Sequence, residues 1–360
     1  MAASAVGQLP RSVTRSRLSR TAFVFGGLGG GLIVMIVVSA GHGQLDIPAR
    51  EVIGSILHRV GLDAGVIPTH PQGEAALWQV RFPRIAMGVV VGASLATAGA
   101  VMQGVFGNPL AEPGVVGVSA GAAVAAASAI AFGISLAGTW TIPLFAFVGG
   151  LLTTLLVYAM SRDAGRTEVV TLVLTGIAVN AVANAGLAFT MFVADTQARE
   201  QIIFWTLGSL NGTRWQYVGL VVPLCALGIA GALVLSRRLD LLALGDRAAR
   251  HVGIDVERLR LACIVLVALL TAAAVSFSGI IGFVGLVVPH LIRILIGPGH
   301  RALIPASALG GALLLVTADL VARTAVDYAD LPLGMLTALV GGPFFFWLLR
   351  RTRRTAGGWA

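Results

Sequence analysis

Arginine is the chemically most telling residue type in this chain. All 25 of its basic residues are arginine, and lysine is absent. A phosphate-binding loop of the form G-x-x-x-x-G-K-[ST] needs its lysine to reach the β- and γ-phosphates, so the chain cannot hydrolyse ATP by that route. Schiff-base chemistry is excluded as well, because its nucleophile is a lysine amine.

The histidines and cysteines do not form a pattern that would support metal binding or catalysis. None of the six histidines has another histidine four residues away, and no H-E-x-x-H occurs, which argues against a zinc site. Cys225 and Cys263 lie in apolar stretches, where we expect them to be small buried side chains. The sequence also lacks paired acids and an activated nucleophile. We therefore predict no catalytic residue, no metal site and no permanently bound cofactor.

The composition identifies the class of protein in which these residues lie. Of 360 residues, 57% are hydrophobic, 11% are charged and 46 are glycine, whereas soluble domains carry about 25% charged residues. The apolar content suffices for about ten membrane spans of about 20 residues each. The sequence therefore predicts an all-α, multi-pass membrane protein. The net charge of +9 is attributed to arginines that set topology rather than to a nucleic-acid partner.

Ten apolar stretches are predicted to be transmembrane helices. They are Thr21–Ala40, Ile85–Gln103, Gly114–Phe132, Thr141–Met160, Val169–Val193, Trp215–Leu235, Leu261–Ser276, Gly279–Ile296, Leu303–Val321 and Leu331–Leu349. Small residues recur within them at a spacing that allows close helix packing in lipid. A weak sequence similarity between PGVVGVSAG from Pro113 and SGIIGFVGL from Ser278 suggests that the chain has two related halves.

Arginine placement predicts the orientation of these spans. Four arginines precede the first span and four follow the last one, so the positive-inside rule places both termini in the cytoplasm. An even number of spans satisfies this requirement. The predicted organisation is a disordered cytoplasmic arm at residues 1–20, a ten-span domain at residues 21–350 and a cytoplasmic tail at residues 351–360.

Three arginines break the positive-inside rule. Arg81 and Arg84 lie at the outer end of the second span, and Arg323 lies at the outer end of the ninth. One interpretation is interfacial snorkelling, in which the charged ends reach water. The other is a cationic surface that docks an acidic partner from outside. Asp319, the one clearly membrane-embedded acid, lies one helical turn before Arg323 and can pair with it.

The longest predicted cytoplasmic loop, residues 237–260, favours a protein partner. It carries an apolar stripe, and two glycines divide it into two short predicted helices. Its four acids among six arginines make it a poor surface for lipid headgroups. The residues expected to form the contact are Leu244, Gly245, Asp246, Ala248, Ala249, Val252 and Gly253.

Several ordered motifs resemble the FecCD/BtuC-type permeases, the membrane subunits of bacterial ABC importers for iron chelates, haem and cobalamin. The motifs are RFPR at residues 81–84, GNPLAEPGVVGVSAGA at 107–122, LGDRAARHVGI at 244–254, GFVGLVVPHLIR at 282–293, ADLVAR at 318–323 and LPLGMLTALVGGPFFFWLL at 331–349. They extend over nearly the whole chain after the first span.

The resemblance implies a fold, partners and site residues. Such permeases have the BtuC-like fold of type II ABC importers, with ten spans per subunit, and form homodimers in the bacterial inner membrane. Two ATP-hydrolysing subunits attach at the short cytoplasmic helices, here about residues 240–257, and use the ATP. An extracytoplasmic substrate-binding protein docks on arginines that correspond to Arg81, Arg84 and Arg323. Asn108 and Leu110 correspond to residues of the cytoplasmic gate.

The substrate is indicated only by the segment FWTLGSLNGTRW, residues 204–215, whose sequence looks most like that of the haem branch of the family. Phe204, Trp205, Ser209 and His290 are candidates for lining the pathway, and core packing is the alternative for His290. We therefore expect the non-catalytic permease of an ATP-driven importer that moves an iron chelate, haem first and a ferric siderophore next. The alternative is a self-sufficient secondary carrier or channel for a bulky solute.

Overall fold

The computed structural model describes residues 11–163, 166–326 and 328–355. It is helical apart from a two-residue pairing between β1 (Arg162–Asp163) and β2 (Arg166–Thr167). Helices satisfy every backbone polar group within one segment, which lipid requires of a spanning chain. The helices are α1 (Arg11–Gly41), α2 (Ala49–Arg59), α3 (Gly73–Ala75), α4 (Phe82–Phe106), α5 (Val118–Ala131), α6 (Thr141–Met160), α7 (Val169–Val193), α8 (Thr196–Leu207), α9 (Trp215–Leu242), α10 (Asp246–His251), α11 (Val256–Ser278), α12 (Val284–Ile296), α13 (His300–Thr324) and α14 (Leu333–Thr355).

Each of the ten predicted spans overlaps one of these helices. The predicted bounds of the fourth and fifth spans are those of α6 and α7. Within the described ranges, seven helices are long and apolar enough to cross a membrane, and three apolar helices are shorter: Val118–Ala131, Val284–Ile296 and Leu333–Trp347. The ten-span count therefore remains a prediction, since length and composition alone support seven crossings.

Two of the short helices begin later than predicted, after an irregular segment. A 3₁₀ turn over Pro113–Val116 and Gly117, at φ +82°, precede α5. Phe283, at φ +67°, immediately precedes α12. Left-handed backbone cannot continue a right-handed helix, so both helices start beyond these residues. These two irregular segments lie in the two stretches of similar sequence that begin at Pro113 and Ser278.

The chain ends and the longest loop also differ from the prediction. Residues 11–20 belong to α1 instead of a disordered arm, since no proline or glycine interrupts the chain between Arg11 and Phe25; residues 1–10 lie outside the described residues. At the other end α14 continues to Thr355 instead of ending near residue 349. The loop at 237–260 holds one short helix, α10, rather than two, because α9 extends to Leu242.

Helix α4 forms the centre of the bundle and packs against α9, α11, α12 and α13. Close approach depends on glycine pairs in the facing helices. A methyl group on Gly92 would lie 2.2 Å from the carbonyl oxygen of Gly311, and one on Gly99 would lie 1.8 Å from that of Gly285. These contacts support the expectation that small residues in the spans serve tight packing.

Two ends of the bundle carry the polar features that matter for function. The arginine end is formed by the C-termini of α1 and α13 and the N-termini of α4 and α14, and it carries Arg81, Arg84 and Arg323. The α10 end is formed by the C-termini of α4 and α9 and the N-termini of α7, α11 and α13, and it carries helix α10.

Candidate functional site

The three predicted docking arginines line one pocket at the arginine end. Arg81 closes a π-helical segment, Ala76–Arg81, that leads into α4, and Arg84 lies in the first turn of α4. Arg323 lies in the last turn of α13. The pocket has a volume of about 450 Å³, and Asp319 and Asp330 also line it. The structure thus brings together three residues that are up to 242 positions apart in the sequence (323 − 81).

Arg81 and Arg323 both bind the connection that leaves the C-terminus of α1. Arg81 donates to the carbonyl oxygens of Ala40, Gly41 and Leu45. Arg323 donates to the carbonyl oxygens of Ser39 and His42 and to the Ser39 hydroxyl. Gly43 permits this approach, since a Cβ there would lie 3.0 Å from Arg81 Nη2 and 3.1 Å from Arg323 Nη1. These two arginines therefore hold the connection between α1 and α2 as well as line the pocket.

Arg84 binds two carboxylates from different segments. Its Nε lies 2.9 and 3.1 Å from the two oxygens of Asp319, and its Nη1 lies 2.8 Å from Asp330 Oδ2. The predicted Asp319–Arg323 pair is also present but longer, at 3.7 Å. Asp330 is a partner that the sequence analysis missed; its position directly before the LPLG run, at the start of the last predicted span, was the available signal.

The predicted gate residues lie beside the N-terminus of α7. Asn108 Oδ1 accepts a hydrogen bond from the backbone N–H of Leu110 at 2.9 Å, which forms a tight turn after α4. Both residues line a cavity of about 320 Å³ together with Val170 and Val173 of α7. Both residues lie at the α10 end, and their role in a cytoplasmic gate remains a prediction.

Glu112 connects the two irregular segments and was not identified from the sequence. Its Oε1 accepts a hydrogen bond from the backbone N–H of Phe283 at 3.1 Å. Burial raises the pKa of the Glu112 carboxyl above its ordinary value, and the hydrogen bond from Phe283 opposes that rise. The signal available in the sequence was an acidic residue inside an otherwise apolar Pro- and Gly-containing stretch.

The pathway candidates are distributed over separate places. Phe204 is exposed on α8, whereas Trp205 packs on the buried residues Ala122, Ala126, Ala146 and Val275. The backbone N–H of Ser209 donates to the Ser278 carbonyl at 2.7 Å. His290 lies on α12. Beside Phe204 and Trp205 in the chain, Thr206 and Leu207 line an apolar cavity of about 610 Å³, together with Phe283 and Met335.

Helix α10 presents the predicted contact surface. Leu244 is 71% exposed and Val252 is 61% exposed, and the two residues flank this polar helix. Gly245, Ala248 and Gly253 are exposed as well, Asp246 is half-buried and Ala249 is buried. Six of the seven predicted residues are therefore at least partly accessible, and Ala249 instead anchors the helix in the core.

Polar bonds fix α10 and its neighbours to the bundle. Arg260 of α11 donates to Asp246 at 3.0 Å and to the Thr167 carbonyl at 3.0 Å, and Glu257 accepts from the Thr167 N–H at 2.9 Å. At the base of α9, Asp240 accepts from the backbone N–H of His300 at 2.7 Å and lies 2.8 Å from its Nδ1. Asp246 thus ties α10 to α11, and Asp240 ties the C-terminal part of α9 to the start of α13.

Comparison with known proteins agrees with this architecture. Residues 31–351 match the FecCD transport family. The chain is 42% identical over 294 residues to the hemin transport system permease protein HmuU of Yersinia pestis, covering 79% of this chain and 86% of that protein. It is 41% identical over 297 residues to the cobalamin import system permease protein BtuC of Halobacterium salinarum, covering 82% and 78%.

A solved structure shows the same fold. It is an inward-facing conformation of a metal-chelate type ABC transporter, with a TM-score of 0.80 and 33% identity, and it covers 92% of this chain and 99% of that one. Permeases of this family are non-catalytic membrane subunits, and the ATPase is a separate subunit. The chain belongs to the FecCD transport family and is the permease subunit of an ABC importer.

Proposed function

We propose that this permease moves an iron chelate into the cytoplasm of a bacterium, with haem as the preferred substrate and a ferric siderophore next. The arginine pocket is the observation that supports import with a binding protein, because it gives the chain a cationic recess for an acidic partner at one end of the bundle. Similarity to a hemin permease and to a metal-chelate transporter supports an iron chelate. Similarity to a cobalamin permease at nearly the same identity makes vitamin B12 the competitor in the test.

The arginine end is proposed to face outward and to dock the substrate-binding protein. Three arginines and two aspartates line the pocket, which leaves it one positive charge in excess. A glutamate or aspartate of the binding protein that enters this recess would gain charge-assisted hydrogen bonds, which are stronger than neutral ones. Reversing Arg81 to glutamate should weaken docking, most visibly at low salt, where screening is least.

The α10 end is proposed to face the cytoplasm and to bind the ATPase. The exposed Leu244 and Val252 flank α10, so a groove on the ATPase can bury both side chains. Asn108 and Leu110 are proposed to close the pathway at the same end. Both termini are then cytoplasmic, as the arginine-rich flanks of the first and last spans predict.

Two copies of the chain and two ATPase subunits are proposed to form the transporter. Helices α7 and α14 carry many exposed apolar side chains, among them Val170, Leu174, Val182 and Leu339. In a membrane such faces contact either lipid or another subunit. Mass measurement of the complex in nanodiscs would distinguish two permease copies from one.

Reconstitution with defined substrates tests the function. Permease and ATPase are placed in proteoliposomes, and uptake of haem, a ferric siderophore and cobalamin is measured with the binding protein present. We expect ATP-dependent uptake that is fastest for haem. Uptake by the permease alone, driven by an ion gradient, would contradict the importer role and support a secondary carrier. Uptake of cobalamin alone would contradict the substrate assignment and leave the importer role intact.

A further inference from the structure

The two carboxylates bound to Arg84 differ sharply in their surroundings. The side chain of Asp319 is 2% exposed, and it receives the Nε of Arg84 and lies near Arg323. The side chain of Asp330 is 31% exposed and lies 2.8 Å from the Nη1 of Arg84. Asp319 is therefore the permanent counter-ion of Arg84, and Asp330 is the partner that faces the pocket.

Energetics make the outer pair the exchangeable one. An ion pair with one partly exposed partner contributes less than a fully buried pair, because water competes for the exposed group. Breaking a buried pair is strongly destabilising, because a charge is left without compensation. A carboxylate that arrives from a partner can therefore replace Asp330 on Arg84 at little cost, whereas it cannot replace Asp319.

Asp330 also begins a segment that reaches the apolar cavity. The backbone N–H of Leu331 donates to the Ala322 carbonyl at 2.9 Å, and that of Leu333 donates to the Gly208 carbonyl at 2.9 Å. A Cβ on Gly334 would lie 2.5 Å from the Ile280 carbonyl oxygen, so this turn of α14 sits directly on its neighbours. Residues 330–334 therefore join Arg84 to the wall of the cavity.

We propose that Asp330 occupies Arg84 as an internal substitute for the binding protein's carboxylate. Docking replaces Asp330 on Arg84 and releases the segment at residues 330–334, and the first turns of α14 then loosen beside the apolar cavity. No bond is made or broken covalently; one carboxylate takes the place of another on the same guanidinium. This inference rests on the proposed docking role of the arginine pocket.

The exchange predicts that one substitution in the arginine pocket, at Asp330, increases the affinity for the binding protein. Because Asp330 competes with the partner for Arg84, its removal should strengthen docking instead of weakening it. Linkage requires the reverse effect as well: docking must shift the segment at 330–334 toward the released state. A purely structural role for Asp330 predicts the opposite, namely weaker docking through a distorted pocket.

The test compares Asp330→Asn with Asp63→Asn in the assembled transporter. Asp63 is an acid of the loop that follows α2, and its side chain is 98% exposed. Association of the substrate-free binding protein with the transporter in nanodiscs is measured by biolayer interferometry. We expect Asp330→Asn to lower Kd about three- to fivefold, whereas Asp63→Asn and the conservative Asp330→Glu leave Kd within twofold of the parent protein.

A labelling measurement follows the released segment directly. Cys225 and Cys263 are buried, so an Ala338→Cys variant provides an accessible thiol beside the cavity. We expect its reaction with a maleimide to accelerate when the binding protein is added. In the Asp330→Asn background the fast rate should be present without the binding protein.

The outcomes separate this inference from the docking role on which it rests. Unchanged or weaker docking by Asp330→Asn, with Arg81→Glu still impairing docking, overturns the exchange and leaves the docking role standing. Docking that neither Arg81→Glu nor Arg323→Glu weakens overturns both. An Ala338→Cys labelling rate that is equal with and without the binding protein also overturns the exchange.

Discussion

Removing the Asp319 carboxylate should destabilise the bundle far more than removing that of Asp330. Asp319→Ala leaves Arg84 with one partly exposed partner and leaves Arg323 without its acid in the buried floor of the pocket. Loss of one partner from a buried pair costs about 3–5 kcal/mol. The remaining Asp330 contact places the expected cost at the low end, about 3 kcal/mol. Asp330→Asn should cost about 0–1 kcal/mol.

Thermal inactivation in detergent converts these costs into a measurable shift. In domains of 150–250 residues, 1 kcal/mol shifts Tm by about 2–4 °C, and larger chains shift less. We therefore expect the apparent Tm to fall by about 4 °C for Asp319→Ala and by less than about 2 °C for Asp330→Asn, at one fixed scan rate because unfolding is irreversible. The loss of monodisperse protein after heating, followed by size-exclusion chromatography, provides the readout.

A double variant checks whether the cost comes from the uncompensated charge. Replacing Arg84 and Asp319 together with leucine removes the buried charge of Arg84 as well as its partner, while Arg323 loses Asp319 just as it does in Asp319→Ala. Such replacements of a whole buried pair are often neutral or stabilising. We expect Arg84→Leu/Asp319→Leu to be more stable than Asp319→Ala. Equal, small losses for Asp319→Ala and Asp330→Asn, or a double variant worse than either single one, would refute the reasoning from burial.

Three further predictions concern the packing, the irregular segments and the ATPase surface. Gly99→Ala places a methyl group 1.8 Å from a facing carbonyl oxygen and should lower the yield of folded protein severalfold in a chromatographic assay. Gly27→Ala, where the added methyl group meets open space, should leave that yield unchanged. Glu112→Gln removes a carboxyl whose pKa is raised in the folded state, so that ionisation of this carboxyl destabilises the folded parent protein. The apparent Tm of the variant should therefore exceed that of the parent at high pH, and the difference should shrink as the pH falls through the raised pKa. Leu244→Asp with Val252→Asp should abolish co-purification of the ATPase while the circular dichroism of the permease stays unchanged; full retention of the ATPase would contradict the proposed contact.

Hydropathy predicted the helices well where membrane crossing alone sets their bounds. The ends of α6 and α7 follow directly from the change between apolar and polar residues. The starts of α5 and α12 could not be predicted, because tertiary contacts determine them. Phe283 adopts a left-handed backbone, which a bulky residue takes only when its surroundings impose it. Glu112, 171 positions away, supplies one of those contacts by accepting the Phe283 N–H.

The sequence singled out the three arginines of the pocket, but it did not predict the hydrogen bonds and ion pairs that they form. Arg81, Arg84 and Arg323 stood out because they violate the positive-inside rule, which is a property of the sequence alone. Their partners are mostly backbone carbonyls, which carry no sequence signature. The choice of Arg84 as the nearest partner of Asp319, rather than Arg323 on the same helix, depends on how α4 packs against α13.

The bonding of the three arginines separates the interpretations that the sequence left open. A snorkelling arginine directs its guanidinium to water, whereas Arg81 and Arg323 each direct theirs to several carbonyl oxygens of the α1–α2 connection. Most of their donors are thereby used, so under the proposed docking role they would act on an incoming acid chiefly through their charge. Arg84, whose Nη1 binds the partly exposed Asp330, is the arginine that we propose makes direct contact. Charge reversal at Arg81 should accordingly affect the rate of association and its salt dependence, whereas substitutions around Arg84 should affect the lifetime of the complex.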